Sequence, residues 1–97
     1  MPSIEWTDAA LRDAVSILAY HAEKGNMDVG QQIVRELFKA TDRLKEFPQS
    51  GRVGRTRQTR ELVVGRLPYI LVYKVPSGNV VRILRVDHVA QLYPHTR

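Results

Sequence analysis

Apolar residues recur along this chain in two rhythms. Leu11, Val15, Leu18 and Ala22 stand four, three and four apart, and Ile33, Leu37, Ala40, Leu44 and Phe47 continue at four, three, four and three. A period near 3.6 predicts two amphipathic helices, each with its stripe turned to a core. Thr7 or Asp8 can cap the first, and Asp8 suits its positive end. Lys24-Gly25-Asn26 should stop it, because a basic last turn and a residue tolerant of positive φ end helices. The second is expected to start near Asp28 as its cap. It should end at Phe47, because Pro48 pushes the residue before it out of the α region. Two helices joined by a short polar turn read as an antiparallel hairpin. Arg35, Glu36, Lys39, Asp42, Arg43 and Glu46 fall on its outer, solvated side.

The second rhythm has period two. Ser3-Ile4-Glu5-Trp6-Thr7 alternates and predicts a short first strand with one buried face. After residue 60 come three stretches rich in β-branched and aromatic residues: Glu61–Leu67, Tyr69–Val75 and Val80–Val86. These read as strands. Pro76-Ser77-Gly78-Asn79 is a hairpin turn, and Gly65-Arg66-Leu67-Pro68 a looser connection. Strands this close in sequence should pair antiparallel. The expected architecture is α+β in the order β-α-α-β-β-β: a short N-terminal strand, then a helix hairpin packed on a mainly antiparallel sheet. The tail from Asp87 to Pro94 has room for one helical turn. Residues 1–97 are expected to form a single domain.

Size and charge narrow the function. A chain of 97 residues buries roughly 60–65% of the surface its unfolded form exposes, so it is marginally stable alone and gains from a partner. With no cysteine, a reducing cytoplasm is the expected location. The N-terminus lacks the basic and apolar regions of a signal peptide. The longest near-apolar stretch, Leu67–Val75, is too short to span a bilayer, so no membrane association is expected. The net charge of +5 is uneven: residues 1–50 carry six Lys/Arg against eight Asp/Glu, and residues 51–97 nine against two. Eight of those nine are arginine, whose planar fork suits carboxylate and phosphate. The second half therefore points to an acidic or polyanionic partner.

The densest cluster is Ser50–Leu62, with Arg52, Arg55, Arg57 and Arg60 and no acid before Glu61. Either these form a basic rim for a partner, or Arg52 and Arg60 brace the loop against backbone carbonyls while Arg55 and Arg57 are exposed. No metal site is expected, since His21, His88 and His95 lie in separate segments without ligand spacing. No cofactor is expected either, since neither a phosphate-binding glycine loop nor a nucleophile elbow occurs. RNA cleavage asks for less, because the substrate's 2′-hydroxyl is the nucleophile and the protein supplies acid, base and positive charge. His88 as acid or base, with Arg60, Arg82 and Arg85 on phosphate and Tyr93 stacking or donating a proton, would be such a set. A structural His88, hydrogen-bonded by Asp87, is the alternative.

Taken together, several short pieces resemble the RelE/ParE superfamily of toxins from type II toxin–antitoxin modules. They are Trp6-Thr7 with Ala10 and Asp13; Phe47-Pro48-x-Ser50-Gly51-Arg52; Thr59-Arg60-Glu61-Leu62-Val63-Val64; Pro68 to Val75; and Ile83-Leu84-Arg85-Val86-x-His88-x-Ala90-Gln91. The resemblance covers nearly the whole chain in the order of elements predicted above. It implies a cognate antitoxin whose extended C-terminal segment wraps the toxin, giving a hetero-oligomer. RelE-like members cleave mRNA in the ribosome; ParE-like members inhibit DNA gyrase and are not known as nucleases. In the RelE-like pattern a catalytic arginine precedes the Leu-Val-Tyr of the middle strand, where this chain has Ile70. A second stands near Val89, but none occurs between Arg85 and Arg97. The resemblance is therefore to the ParE-like branch, a gyrase inhibitor with no catalytic residues. Arg52, Arg57, Arg60, Arg82, Arg85, His88 and Tyr93 are the expected contacts to antitoxin or target. A ribosome-dependent endonuclease using His88, Arg85, Tyr93 and Arg60 is the first alternative, and an inactive relative that only binds antitoxin is the second. Asp87 departs from the ParE-like pattern, where that residue is usually uncharged. An acid there raises the His88 pKa or only tethers the ring.

Overall fold

The computed structural model describes residues 2–92; Tyr93, His95 and the rest of the tail lie outside them. Eight elements follow in order: β1 (Ser3–Trp6), α1 (Asp8–Glu23), α2 (Met27–Glu46), β2 (Arg52–Val53), β3 (Arg60–Val63), β4 (Tyr69–Ser77), β5 (Val80–His88) and α3 (Val89–Leu92). The sheet order is β1-β5-β4-β3-β2. β1 runs parallel to β5, and the other neighbours are antiparallel. The expected β-α-α-β-β-β layout is present. To it the structure adds the two-residue β2, which pairs Arg52 with Glu61 and Val53 with Arg60.

Thr7 caps α1, its hydroxyl accepting the Ala10 N–H at 3.1 Å. Gly25, at φ 76, turns the chain after α1. α2 begins one residue before the expected Asp28. Its cap position is Asn26, which makes no side-chain capping bond, and Asp28 lies in the first turn near the positive end.

The stripe on α1 needs correction. The residues that α1 buries are Ala10, Ala14 and Ile17, whereas Leu11 is 44% and Val15 65% exposed. The physical reason is close approach: a row of alanines lets the helix lie low on the sheet, and the Leu11 row sits about a quarter-turn away. Leu18, from that same row, packs instead on Gly30 of α2, where an added Cβ would stand 3.1 Å from its Cδ1. On α2, Ile33, Leu37, Ala40 and Leu44 are buried as expected. Phe47 is not: it follows the last helical residue at φ −129, leaves the helical phase and is 62% exposed.

β3 stops at Val63 rather than Leu67. Gly65 turns the chain at φ 53, and Leu67 N–H closes back on the Val64 carbonyl at 2.9 Å. β4 and β5 each run two residues past expectation, which leaves Gly78-Asn79 as the turn. Their pairing shifts register between Val72 and Tyr73, where Ile83 and Arg85 are the partners and Leu84 is extra. This bulge reverses the alternation of β5. Val81 and Ile83 face the helices before it, and Val86 faces them after it. Leu37, Leu44, Leu71, Tyr73, Val81 and Ile83 form the fully buried centre between helices and sheet.

Candidate functional site

In the arginine cluster, Arg52 and Arg60 bond to groups of the chain itself, as the bracing alternative expects of these two. Glu61, only 3% exposed, accepts from Arg52 Nη2 at 3.0 Å and Nε at 3.2 Å, and from the Arg55 backbone N–H at 3.3 Å. A polar group this buried is costly unless hydrogen-bonded, and these donors supply the bonds. Arg60 donates through Nη1 to the carbonyls of Gly51 at 2.8 Å and Gln49 at 3.3 Å. Tyr73 holds the same segment from below: its hydroxyl accepts the Gly51 N–H at 2.9 Å and donates to the Pro48 carbonyl at 2.7 Å. Burial pushes the Tyr73 phenol above its ordinary pKa, with the Gly51 N–H and the Arg60 charge acting the other way. The loop is thus braced by Arg60 on carbonyls and by Arg52 on a carboxylate. Arg57 is exposed and forms no ion pair among the described residues.

Strand alternation places the remaining candidates. Arg52, Glu61, Val72 and Arg85 are successive cross-strand partners, so they share one face of the sheet, the one turned away from the helices. Glu5, Arg82 and Lys74 form a second row there. Arg82 pairs with Glu5 at 2.8 Å and Arg85 with Asp87 at 2.9 Å. Asp87 is thus engaged with Arg85, two residues along the strand, and not with His88.

His88 falls on the other face, because the bulge sets it in phase with Val86. It pairs in register with Tyr69 and meets that ring edge-on, centroids 5.2 Å apart. Its Nδ1 accepts the Ala90 N–H at 3.0 Å, which leaves the proton on Nε2. A cleft of about 430 Å³ opens here between α1 and the end of β5, lined by Asp13, Ser16, Tyr20, Tyr69 and His88 over a floor of Ile17 and Val86. Asp13 Oδ2 accepts the Val86 N–H at 2.9 Å, just past the bulge. Thr7 stitches the other side of the bulge: its N–H reaches the Ile83 carbonyl at 3.1 Å and its hydroxyl the Leu84 carbonyl at 2.9 Å. Burial first, and the neighbouring Tyr20 second, raise the pKa of the Tyr69 phenol.

The structure therefore does not assemble His88, Arg85 and Arg60. Arg85 and His88 lie on opposite faces. Arg60 sits across from Tyr73, four residues along β4 from the partner of His88, a separation of roughly 13 Å by strand rise alone. Tyr93 lies outside the described residues. The residues that do share the recess with His88 were not singled out by their chemistry in the sequence. Asp13 stood only as part of a helix-opening pattern, and Tyr69 as a strand residue. The available signal was Asp13-x-x-Ser16-x-x-x-Tyr20, three polar side chains along one helix flank. Among the described residues no group of three potential metal ligands occurs, and no helix is long and apolar enough to cross a membrane.

Comparison with known proteins agrees with this architecture. Across 92% of this chain and 97% of the other, the fold superposes with a TM-score of 0.81 on a chain of the chromosomal ParDE toxin–antitoxin system from P. aeruginosa, at 24% identity. YafQ from E. coli superposes at 0.54, with 19% identity over 96% of this chain and 99% of that one. Two relatives are closer in sequence. Y4kP of Sinorhizobium fredii, a protein named as a candidate toxin, is 43% identical over 91 residues, 94% of this chain and 92% of its own. Toxin RelE2 of Caulobacter vibrioides is 37% identical over 92 residues, 95% of this chain and all of its own. The family profile described as ParE toxin of type II toxin–antitoxin system, parDE, matches residues 4–93. A match over nearly every residue, on the fold described above, means that the chain belongs to the ParE toxin family of type II toxin–antitoxin systems.

Proposed function

We propose that this toxin arrests growth in the cytoplasm by binding DNA gyrase, without catalysing a reaction of its own, and that a cognate antitoxin neutralises it in a hetero-oligomer. Family membership supports the toxin–antitoxin part. One observation carries the choice of target: His88 is separated from the arginines. Cleaving RNA takes an acid, a base and positive charge around one phosphate. Here His88 shares its recess with the carboxylate of Asp13, which repels a phosphodiester, while Arg85 lies behind the sheet. Ile70, the position at which RNase relatives are expected to carry arginine, is 1% exposed between Val63 and Asp87. Both features favour a binding protein over a nuclease.

The antitoxin reading has support of its own. Leu11, Val15 and Phe38 leave large apolar side chains in water on the helix hairpin, as expected of a surface that a partner covers. The positive second half suits acidic groups on that partner. In this reading Arg57, Arg82 and Arg85 meet the antitoxin or gyrase from the loop and the outer sheet face.

The test is induction of the chain without antitoxin, with DNA breaks and ribosome-associated mRNA cleavage followed in parallel for the wild type and His88→Ala. Breaks without mRNA cleavage, and a His88→Ala variant that remains toxic, are expected. Early mRNA cleavage lost in His88→Ala would move the chain to the ribonuclease branch. No growth defect at all would make it an inactive relative that serves only the complex.

A further inference from the structure

The cleft beside His88 has a chemistry that gyrase binding does not absorb. Its one acid, Asp13, is half-buried and spends one carboxylate oxygen on a neutral backbone amide; among the described residues no cation pairs with it. In a chain of net charge +5, a partly buried carboxylate with no counter-ion asks for one. Around it stand the aromatic rings of Tyr20 and Tyr69 and the hydroxyl of Ser16. His88 adds an Nε2 donor and no positive charge in the tautomer its Ala90 contact requires. The Tyr69 phenol stays protonated, because burial raises its pKa, so it accepts as well as donates. The recess thus offers one anionic acceptor, neutral hydroxyls and π faces.

Three ligand classes fit poorly. A phosphate or carboxylate would meet Asp13. A metal ion would find a single carboxylate where it needs several donors. A purely apolar group would leave the carboxylate desolvated and unpaired. A guanidinium fits: it is planar, donates in its own plane to a carboxylate and stacks its faces on aromatic rings. The Tyr20 ring already holds a cation in this chain, with Lys24 Nζ 5.3 Å from its centroid. Tyr20 and Ser16 are both exposed, so the recess is open to a side chain arriving from another surface.

We propose that the cleft between α1 and the His88 end of β5 receives the side chain of an arginine presented by a partner protein, with Asp13 as its counter-ion and Tyr20 and Tyr69 as its walls. The proposal does not depend on whether the toxin's target is gyrase or the ribosome.

The experiment is a nuclear magnetic resonance titration of the full chain with N-acetyl-arginine amide, against N-acetyl-citrulline amide as the neutral isostere. Saturable shifts at the rings of Tyr20, Tyr69 and His88 are expected with arginine, and binding about tenfold weaker with citrulline. Asp13→Asn keeps an oxygen for the Val86 N–H, which amide-exchange protection at Val86 will verify, and should weaken the arginine response about tenfold. Tyr20→Ala, at a half-exposed position that leaves the core intact, should weaken it several-fold. Lys24→Gln removes the competing cation and should strengthen it. Equal responses to arginine and citrulline, unchanged affinity in Asp13→Asn or in Tyr20→Ala, or shifts confined to another surface would each overturn the proposal. So would a response seen only in Arg97→Ala, since the occupant would then be the chain's own terminal guanidinium.

Discussion

Glu61 shows how a single residue changes the meaning of its neighbours. From the sequence it is merely the acid that ends an arginine run. In the fold it is the buried centre to which Arg52 and the Arg55 amide are tied. Removing one partner of such a pair leaves an uncompensated charge. Arg52→Ala should therefore destabilise the chain by about 2–4 kcal/mol, read as a lower urea midpoint with unchanged slope. A change below about 0.5 kcal/mol would return Arg52 to the class of solvated surface residues. Tyr73 gives a pH prediction. Its folded pKa is raised above the ordinary 10.0 by burial, so the native state holds this proton more tightly than the unfolded chain does. Its contribution is fully present below about pH 10 and is lost as pH rises through the folded value. Stability should fall on the alkaline side, and Tyr73→Phe should flatten that fall. The same variant should cost about 1–3 kcal/mol at neutral pH through the lost bonds to Gly51 and Pro48. An alkaline limb unchanged in Tyr73→Phe would assign the effect elsewhere, with Tyr69 the next group to test.

Among the elements, the arginine loop and the β5 bulge matter most. The loop is closed over Tyr73 at Gly51, where an added Cβ would stand 2.7 Å from the phenol oxygen, 2.8 Å from Cε1 of the same ring and 2.9 Å from the Glu61 carbonyl. Two of those three neighbours belong to a fully buried side chain, which has no room to yield. Gly51→Ala should destabilise by about 1–3 kcal/mol and weaken the β2–β3 pairing, seen as faster amide exchange across Arg52–Val53 and Arg60–Glu61. A Gly51→Ala variant as stable as the wild type would mean that the loop shifts freely. The bulge acts differently. One extra residue at Leu84 puts Arg85 behind the sheet and His88 in front of it. Strict period-two reading places residues 85 and 88 on opposite faces as well. It also turns Val86 outward, away from the core it joins and from Asp13, which holds its amide.

At the scale of the whole molecule, the helix layer and the outer sheet face leave different groups in water. The helix hairpin exposes Leu11, Val15 and Phe38, and the outer sheet face carries paired ions. If the hairpin is a surface the antitoxin covers, Val15→Glu should leave the free chain's stability within about 0.5 kcal/mol, as surface changes do. It should weaken antitoxin binding at least about tenfold, measured by calorimetry of the mixed proteins. An unchanged affinity would remove this face from the interface.

Much of this was legible in the sequence, and the divide has a physical cause. The sequence by itself determined the kinds of elements, their order and most of their ends. Helical and extended periods, the Thr7 cap, the turn at Gly25 and the stop at Pro48 are local properties of neighbouring residues. The short motifs that tie the chain to its family were equally local. Tertiary structure alone decided which apolar row of α1 is buried, because a row of alanines and a row of larger residues differ only in how closely a sheet can approach them. It decided that Phe47 is exposed, that two residues pair as β2, and that Glu61 is a buried anchor. It also decided which polar groups meet. Asp13 and Val86 are 73 residues apart, and only the β5 bulge, together with α1 lying low on its alanines, brings the two into contact beside His88.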